Sequence, residues 1–283
     1  MSAKKYIVND LIKEGVLEPP LDGNHGGKHP KGSDYVSDGI PFVMASDLQN
    51  GKVDLKNCKY ITKEQAKTLP KGFSREGDVL LSHKATIGRV ALVENIASEF
   101  LMTTPQVTYY RILNDNFLDR DYLMYYFRSP YFQSLINSWA GGGSTRYYLN
   151  ITNQKKLPIS VPEISTQQRI SSILKGLDDK IEINLQMNET LEEMAMTLYK
   201  HWFVDFGPFQ DGEFVESELG MTPEGWDIYS LFDLAEFVNG KAFKTANLNE
   251  EHIGLPVIKI AELKSGIGNT TKYCPDSYKQ NMK

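Results

Sequence analysis

Residues 40–51 read IPFVMASDLQNG, and residues 255–266 read LPVIKIAELKSG. The two stretches align without a gap at an offset of 215, and nearly every pair is identical or keeps its character. The match extends on both sides, with small changes of offset, through the pairs Lys59/Lys272, Tyr60/Tyr273, Tyr6/Trp226 and Leu11/Leu231. Such in-phase self-similarity is typical of a duplicated unit. The sequence therefore predicts one unit of about 215 residues followed by the first ~60 residues of a second.

The first 160 residues have the short alternating elements of a mixed α/β (α+β) domain. A helix is predicted from Asp119 past Ser129-Pro130 to Trp139, followed by a glycine-rich loop at 141–148 and a proline-punctuated extended run at 157–162. Strands are predicted between turn signals at IPFVMA (40–45), GDVLLS (77–82), RVALVE (89–94) and QVTYYRIL (106–113).

A long helix is predicted from about Ser165 to Phe203, with Ser165 or Thr166 as its N-cap. Its apolar positions step by three and four, as in a coiled coil, with Asn184 and Asn188 as polar insertions that fix register. A long amphipathic helix packed on a core is the alternative. The length favours the coiled coil, which needs a second helix to cover its stripe.

The charge is distributed unevenly. The net charge is −5 overall, but residues 1–160 carry 20 Lys+Arg against 16 Asp+Glu, and residues 161–283 carry 11 against 20. Between Gly176 and Glu236 there are fifteen acidic residues and two lysines. Phosphate repels such a segment, so it is predicted to be a spacer or protein-docking arm, while the basic front half permits a local nucleic-acid footprint.

Several classes of protein are excluded by what the sequence lacks. Cys58 and Cys274 form neither a zinc spacing nor a disulfide framework, and no signal peptide or apolar span is present, so a cytoplasmic location without membrane contact is expected. A phosphate loop is absent, and Glu18-Pro19-Pro20-Leu21 and Pro275-Asp276 lack the rest of a methyltransferase or nuclease motif. No catalysis and no cofactor are therefore predicted.

Four stretches of the chain resemble type I restriction–modification specificity subunits, and together they extend over nearly its whole length. The stretches are LYKHWFVDFGP (198–208), SELGMTPEGW (217–226), the segments LPI (157–159), QQRI (167–170) and LDDKIE (177–182) around the start of the long helix, and GDVLLS (77–82) with Ile87-Gly88. The resemblance implies a target-recognition domain at 1–160, a spacer and dimerisation helix at 161–210, and a linker with a partial second recognition domain at 211–283. Family members complete that second domain and a second long helix, so a truncated product, a fragment or a half-subunit is expected.

Three segments are candidates for contact with DNA. The segment 22–31 carries a flexible Gly-rich loop; its His25 and His29 also invite a metal-site interpretation, which lacks a third ligand at a defined spacing, so no metal is expected. The turn after the GDVLLS strand brings two cations together, and the 141–148 loop offers hydroxyls and an arginine suited to guanine, with Tyr147 and Tyr148 expected in the core. The alternatives are an ordinary surface loop for 22–31, a solvated face for the turn after GDVLLS, and a simple helix cap for the glycines of 141–148. The candidate residues are Asn24, His25, Lys28, Lys31, Ser82, Lys84, Arg89, Ser144, Thr145 and Arg146.

The function implied by the resemblance is sequence-specific binding of double-stranded DNA, which directs methyltransferase (M) and restriction (R) subunits to a target site. A homodimer through the 165–203 helix is the further hypothesis, and it predicts a palindromic split site. Two alternatives are the detached recognition region of a single-chain restriction–methylation enzyme and an inactive remnant that acts only as a protein-interaction module.

Overall fold

The computed structural model describes residues 3–24, 29–140, 148–240, 242–244 and 247–275. The chain divides into two compact units, Met1–Glu192 and Glu193–Lys283, with the division inside one long helix. The domain limits at 160 and 210 stay predictions.

The first unit contains strands and helices in alternation. In chain order its strands are β1 (Lys4–Ile7), β2 (Leu21–Asp22), β3 (Ile40–Val43), β4 (Leu48–Gln49), β5 (Gly51–Val53), β6 (Lys59–Ile61), β7 (Phe73–Ser74), β8 (Val79–Ser82), β9 (Val90–Leu92), β10 (Leu101–Thr103), β11 (Val107–Tyr110) and β12 (Pro158–Val161). Its helices are α1 (Val8–Lys13), α2 (Lys63–Thr68), α3 (Arg120–Arg128), α4 (Pro130–Ala140), α5 (Ile151–Gln154) and α6 (Ile164–Phe203), the last of which continues into the second unit.

Two mixed sheets form the scaffold of this unit. The larger sheet has the order β2-β11-β8-β9-β5-β4, and the smaller has the order β6-β3-β10-β7. Each contains one parallel pair, β5 with β9 and β3 with β10, and the remaining pairs are antiparallel. Separately, β1 pairs with β12, so the first strand of the unit is held by the last. The predicted mixed-sheet α/β fold and the four predicted strands are confirmed.

The main core lies between the larger sheet and the helices α3 and α4. Tyr110 of β11, Phe127 of α3 and Phe132 of α4 are fully buried there. The rings of Phe127 and Phe132 stack at 4.4 Å, and those of Tyr110 and Phe127 meet edge to face at 5.0 Å. Aromatic contacts of these two kinds add to the gain from burial and hold the helices at a fixed position on the sheet.

The prediction of one continuous helix through Ser129-Pro130 is wrong. Ser129 has extended backbone angles (φ −63°, ψ 145°), and α4 begins at Pro130. A residue before proline is driven out of the helical region, whereas proline itself is well suited to the first turn of a new helix. The Ser129 hydroxyl donates to Tyr126 O at 2.6 Å and accepts from Phe132 N at 3.3 Å, so it caps both helix ends.

A buried ionic network joins the ends of β8 and β11. The Arg111 guanidinium makes two parallel hydrogen bonds to Asp78, Nε to Oδ1 at 2.9 Å and Nη2 to Oδ2 at 2.8 Å, and a third to Glu18 Oε2 at 3.0 Å. Asp78 also accepts from the Ser74 hydroxyl at 2.9 Å and from Arg75 N at 2.7 Å. With the Asp78 side chain only 2% exposed, loss of either partner would leave the other without its main counter-charge.

The long helix α6 begins one residue before the predicted start. Residue Glu163 O accepts the first helical hydrogen bonds, so Ser165 and Thr166 lie inside the helix and the prediction that either caps it is wrong. Its first turns dock on the domain through buried Gln167, which donates to Phe117 O at 2.9 Å and accepts from Asp119 N at 2.9 Å. Beyond this point the apolar stripe is exposed, with Ile173, Leu177 and Ile181 each more than half accessible to solvent.

Charged side chains also link α6 to the domain. The Arg128 Nη1 lies 2.6 Å from Asp178 Oδ2, which also accepts from the Tyr125 hydroxyl at 3.1 Å. Lys175 lies 3.5 Å from Glu94 and 3.7 Å from Asp121. These pairs bridge the helix to α3 and to the end of β9, and therefore fix the direction in which the helix leaves the domain.

The second unit repeats the local pattern of residues 40–61. It contains β13 (Phe214–Ser217), β14 (Gly220–Pro223), α7 (Leu231–Leu234), β15 (Leu255–Pro256), α8 (Ile260–Ser265) and β16 (Tyr273–Cys274). Strand β15 pairs with β16 as Leu255↔Cys274 and Pro256↔Tyr273, and β3 pairs with β6 as Ile40↔Ile61 and Pro41↔Tyr60. These pairs occupy the positions that the sequence repeat aligned, so the repeat is also a structural one.

No helix in the described part of the chain is long and apolar enough to cross a membrane.

Candidate nucleic-acid interface

Strand register brings two of the candidate segments to one end of the larger sheet. Asp22, the last residue of β2, pairs beside Thr108, and Ser82, the last residue of β8, pairs beside Val107 at the start of β11. The chain therefore leaves β2 and β8 at the end where it enters β11. Two main-chain hydrogen bonds continue the contact, His83 N to Gln106 O at 2.9 Å and Gly23 N to Thr104 O at 3.3 Å.

The third candidate segment returns to the same end. Tyr148, the first described residue after the 141–147 loop, forms an antiparallel bridge with Lys84. Leu149 N donates to His83 O at 2.9 Å, and the His83 ring Nδ1 lies 3.1 Å from Leu149 O. We call this surface the loop end: it comprises residues 23–24, 83–89, 104–106 and 148–149. All three segments singled out in the sequence thus begin or end at one surface.

The turn between β8 and β9 is closed by several hydrogen bonds. Ser82 N donates to Arg89 O, Gly88 N donates to Ser82 O, and the Ser82 hydroxyl accepts from Arg89 N, each at 2.9 Å. The Gln133 side chain of α4 donates to Gly88 O at 2.9 Å and to Phe127 O at 2.6 Å. At the tip, Ala85 has a left-handed backbone (φ 65°), which is uncommon for a residue other than glycine. The turn is therefore preformed.

Asn24 and Ser82, two of the candidate residues, are buried. Asn24 is 3% exposed; its amide donates to Lys71 O and accepts from Lys71 N at 3.3 Å. Ser82 is fully buried and closes the adjacent turn. Neighbouring Gly23 lies so close to β10 that an added Cβ would be 1.8 Å from Thr103 O. These residues fix the stems of the loops.

The candidate cations have different surroundings. Arg89 is exposed, but its Nη1 donates to Ser46 O at 2.9 Å and to Ala45 O at 3.3 Å, which ties β9 to the turn after β3. Lys84 and Lys31 are exposed, and Lys84 Nζ lies 5.8 Å from the ring centroid of Tyr148. The candidates His25, Lys28, Ser144, Thr145 and Arg146 lie outside the described residues.

Tyr148 also lies at the loop end, although it was not one of the candidate contact residues. It was expected in the core, but 42% of its surface is exposed, so that prediction is wrong. Its ring lies 5.6 Å from that of His83, and partial burial, together with the negative charge of Asp22, raises the pKa of its hydroxyl. An exposed aromatic ring between a histidine and a lysine suits contact with a sugar or base. No sequence signal separates this tyrosine from a core residue, because alternation is lost in the loop.

His29 does not form a metal site with other described residues. Its ring packs 5.3 Å from that of Phe42, near the end of β3. Within the described ranges there is no group of three or more His, Cys, Asp or Glu side chains that could hold a metal ion.

Comparison with known proteins identifies one family of specificity subunits. The family model described as the type I restriction modification DNA specificity domain matches residues 21–193. The chain is 30% identical over 248 residues to the type I restriction enzyme MjaIX specificity subunit of Methanocaldococcus jannaschii, covering 86% of this chain and 56% of that protein. It is 26% identical over 293 residues to the HindI specificity subunit of Haemophilus influenzae, covering 81% and 62% respectively.

Among solved structures, the S subunit of a type I restriction-modification system from M. genitalium aligns with a TM-score of 0.52 at 16% identity, over 97% of this chain and 65% of that chain. This match shows a shared fold. The chain spans somewhat more than half the length of the curated relatives it matches.

Proposed function

Because this chain belongs to the type I restriction-modification DNA specificity domain family, we propose that it binds double-stranded DNA sequence-specifically through its first 160 residues. The observation that carries the proposal is the convergence of the three candidate segments on the loop end. Strand stems fixed by buried side chains hold loops whose exposed residues include the cations Lys31 and Lys84. Phosphate contacts from such cations supply affinity, and side chains that reach base edges supply specificity.

The chain itself is proposed to be non-catalytic and to direct M and R subunits to the bound site, in the cytoplasm where the DNA lies. Support comes from the missing catalytic motifs and from the acidic character of residues 176–236. An acidic segment does not compete for DNA, so it is free to contact other proteins while the basic domain is bound.

A homodimer through α6 is the proposed arrangement of the DNA-binding unit. Its support is the exposed stripe of Ile173, Leu177, Ile181 and Leu191, which are 56–59% exposed. A second copy of the helix would cover this stripe by coiled-coil packing, and a two-fold dimer would select a split palindrome. Light scattering at micromolar concentration tests the dimer: twice the chain mass is expected, Leu177→Glu with Ile181→Glu should give one chain mass, and Gln186→Glu serves as control. A monomeric wild-type protein contradicts this arrangement.

Selection of bound duplexes from a random DNA pool tests the proposed function. The purified chain is used with and without its cognate methyltransferase subunit, and enrichment of a short motif is expected. Charge reversal of the two exposed candidate lysines, Lys31→Glu with Lys84→Glu, should abolish enrichment. The matched control is Lys13→Glu, because Lys13 is exposed at the end of α1, beyond the opposite end of β11.

Three outcomes would count against the proposal. No enrichment with either preparation refutes sequence-specific binding. Binding of the methyltransferase subunit without any DNA binding would instead identify a protein-interaction module. Methyl transfer or DNA cleavage by the purified chain alone would identify part of a single-chain enzyme.

A further inference from the structure

We propose that the turn formed by Lys84, Ala85, Thr86 and Ile87 is a phosphate-binding turn that anchors the DNA backbone without reading its sequence. The inference rests on the proposed function, since the phosphate belongs to bound DNA. Within the loop end, it assigns contact with the DNA backbone to this turn.

The main chain of the turn offers hydrogen-bond donors that have no acceptor. The N–H groups of Thr86 and Ile87 make no hydrogen bond to other described residues, whereas those of His83 and Gly88 are bonded at 2.9 Å. Ala85, with its left-handed backbone, directly precedes this pair. Successive N–H groups next to a left-handed residue form a concavity that binds anions. Two adjacent donors beside a lysine therefore suit a phosphate oxygen.

The side chains of the turn have the same preference. Lys84 and Thr86 are exposed, and they add an ammonium and a hydroxyl to the two N–H groups of Thr86 and Ile87. Lysine acts on phosphate as a point charge, and serine or threonine hydroxyls commonly bond phosphate oxygens. Of the side chains that commonly make two-point contacts with base edges, the turn has only Lys84 and lacks Arg, Asn and Gln.

The contacts that hold the turn in place make it suitable for a contact of fixed geometry. Its base is closed by Ser82, Arg89 holds it to the turn after β3, and Ile87 packs against the main core. Gly88 approaches Gln133 so closely that an added Cβ would lie 2.2 Å from Oε1. A rigid element matches the phosphate backbone, which has nearly the same geometry at every site, and it makes the contact with little loss of conformational freedom.

The experiment measures affinity for the selected duplex as a function of salt, for wild type, Lys84→Ala, Thr86→Ala and the control Lys13→Ala. Each phosphate contact contributes about 0.9 to the slope of log K against log salt. Lys84→Ala is expected to lower that slope by about 0.9 and to weaken binding ~10-fold at low salt. Selection from a random pool by Lys84→Ala should return the wild-type motif. Lys13→Ala should change neither quantity.

Methylphosphonate substitution, which removes the charge of one phosphate at a time, locates the contact. One or two positions should weaken wild-type binding, and these positions should no longer matter to Lys84→Ala. Competition by inorganic phosphate, compared with chloride at equal ionic strength, tests the turn with the free anion. Weak inhibition that Lys84→Ala removes is expected, since the turn binds the phosphate group itself. If no methylphosphonate position distinguishes wild type from Lys84→Ala, the turn binds a free anion rather than DNA and the proposal is overturned.

The two proposals fail in different ways. If the wild-type chain enriches no duplex, the proposed function fails. If wild type binds a selected duplex and Lys84→Ala keeps its full salt slope, or selects a different motif, the phosphate-binding turn alone is wrong.

Discussion

The two copies of the repeated segment share a capping hydrogen bond but differ strongly in burial. In the first copy Met44 N donates to Asp47 Oδ2 at 2.8 Å, and in the second Lys259 N donates to Glu262 Oε2 at 3.0 Å, at aligned positions. The apolar residues at and after the end of the first strand of each copy differ in burial. Val43, Ala45 and Leu48 are at most 4% exposed, whereas the aligned Ile258, Ile260 and Leu263 are 49%, 73% and 77% exposed.

The difference follows from what lies beside each copy. In the first copy, β10 pairs with β3, and β4 pairs with β5 and brings Leu48 into a sheet. The residues aligned with β4 instead continue the helix α8 in the second copy. The helix cap and the strand register are thus local properties of the repeated sequence. Whether the residues after the strand form another strand or a longer helix depends on a neighbouring strand.

The largest expected effect is the difference in stability between losing a buried charge pair in the first unit and losing an exposed one in the second. Asp78→Ala should lower the free energy of unfolding of the first unit by about 3–5 kcal/mol, because the partly buried Arg111 loses its bidentate partner and Ser74 Oγ and Arg75 N lose their acceptor. Glu250→Gln, which removes the exposed pair with Lys272 in the second unit, should have no measurable effect. Hydrogen exchange in increasing urea measures each unit separately. A similar loss for both variants would show that the two units do not differ as described.

An intermediate effect is expected from one matched pair of leucines. Leu48→Ala should cost about 2–5 kcal/mol, because it opens a cavity beside the buried Leu80 and Ala91 of the same cluster. Leu263→Ala, at the aligned position, should change stability by less than about 0.5 kcal/mol. Thermal unfolding followed by circular dichroism compares them. Equal costs would mean that Leu263 is covered in solution.

The smallest effect is a pH dependence confined to the cap of α8. Hydrogen bonds from main-chain N–H groups, chiefly its own and that of Lys259, lower the pKa of Glu262 from its ordinary value. A carboxyl whose pKa is lower in the folded state stabilises that state above its ordinary pKa, and the contribution is lost as pH falls through the lowered value. Exchange of the amides of 260–266, corrected for intrinsic rates, should therefore accelerate below about pH 4. Glu262→Gln should show no such step.

Sequence patterns gave the strands well because burial and alternation are local signals. GDVLLS (77–82) became β8, whose four residues are all buried, and QVTYYRIL (106–113) became β11. The break at Ser129 was missed because the apolar spacing continues across it, although the proline rule alone indicates it.

The surroundings of the candidate site residues could not be predicted from the sequence. Asn24 and Ser82 have the polar side chains expected of DNA contacts, yet their burial depends on partners elsewhere in the fold. Lys71, which binds Asn24, is 47 positions away, and no local pattern indicates such a pairing. Arg89 illustrates the same limit, since its exposed guanidinium is held by carbonyl groups 43 and 44 positions away.

The pairing of β1 with β12 has a consequence for the order of folding. Lys4 lies beside Val161 and Ile7 beside Pro158, and Val8 N bonds Leu157 O at 3.0 Å. A nascent chain that has emerged only to residue 150 therefore has an N-terminal strand without its partner. Contacts of such large sequence separation form late, after the cost of closing a long loop. The domain is thus completed as the start of α6 leaves the ribosome, when Gln167 can also dock.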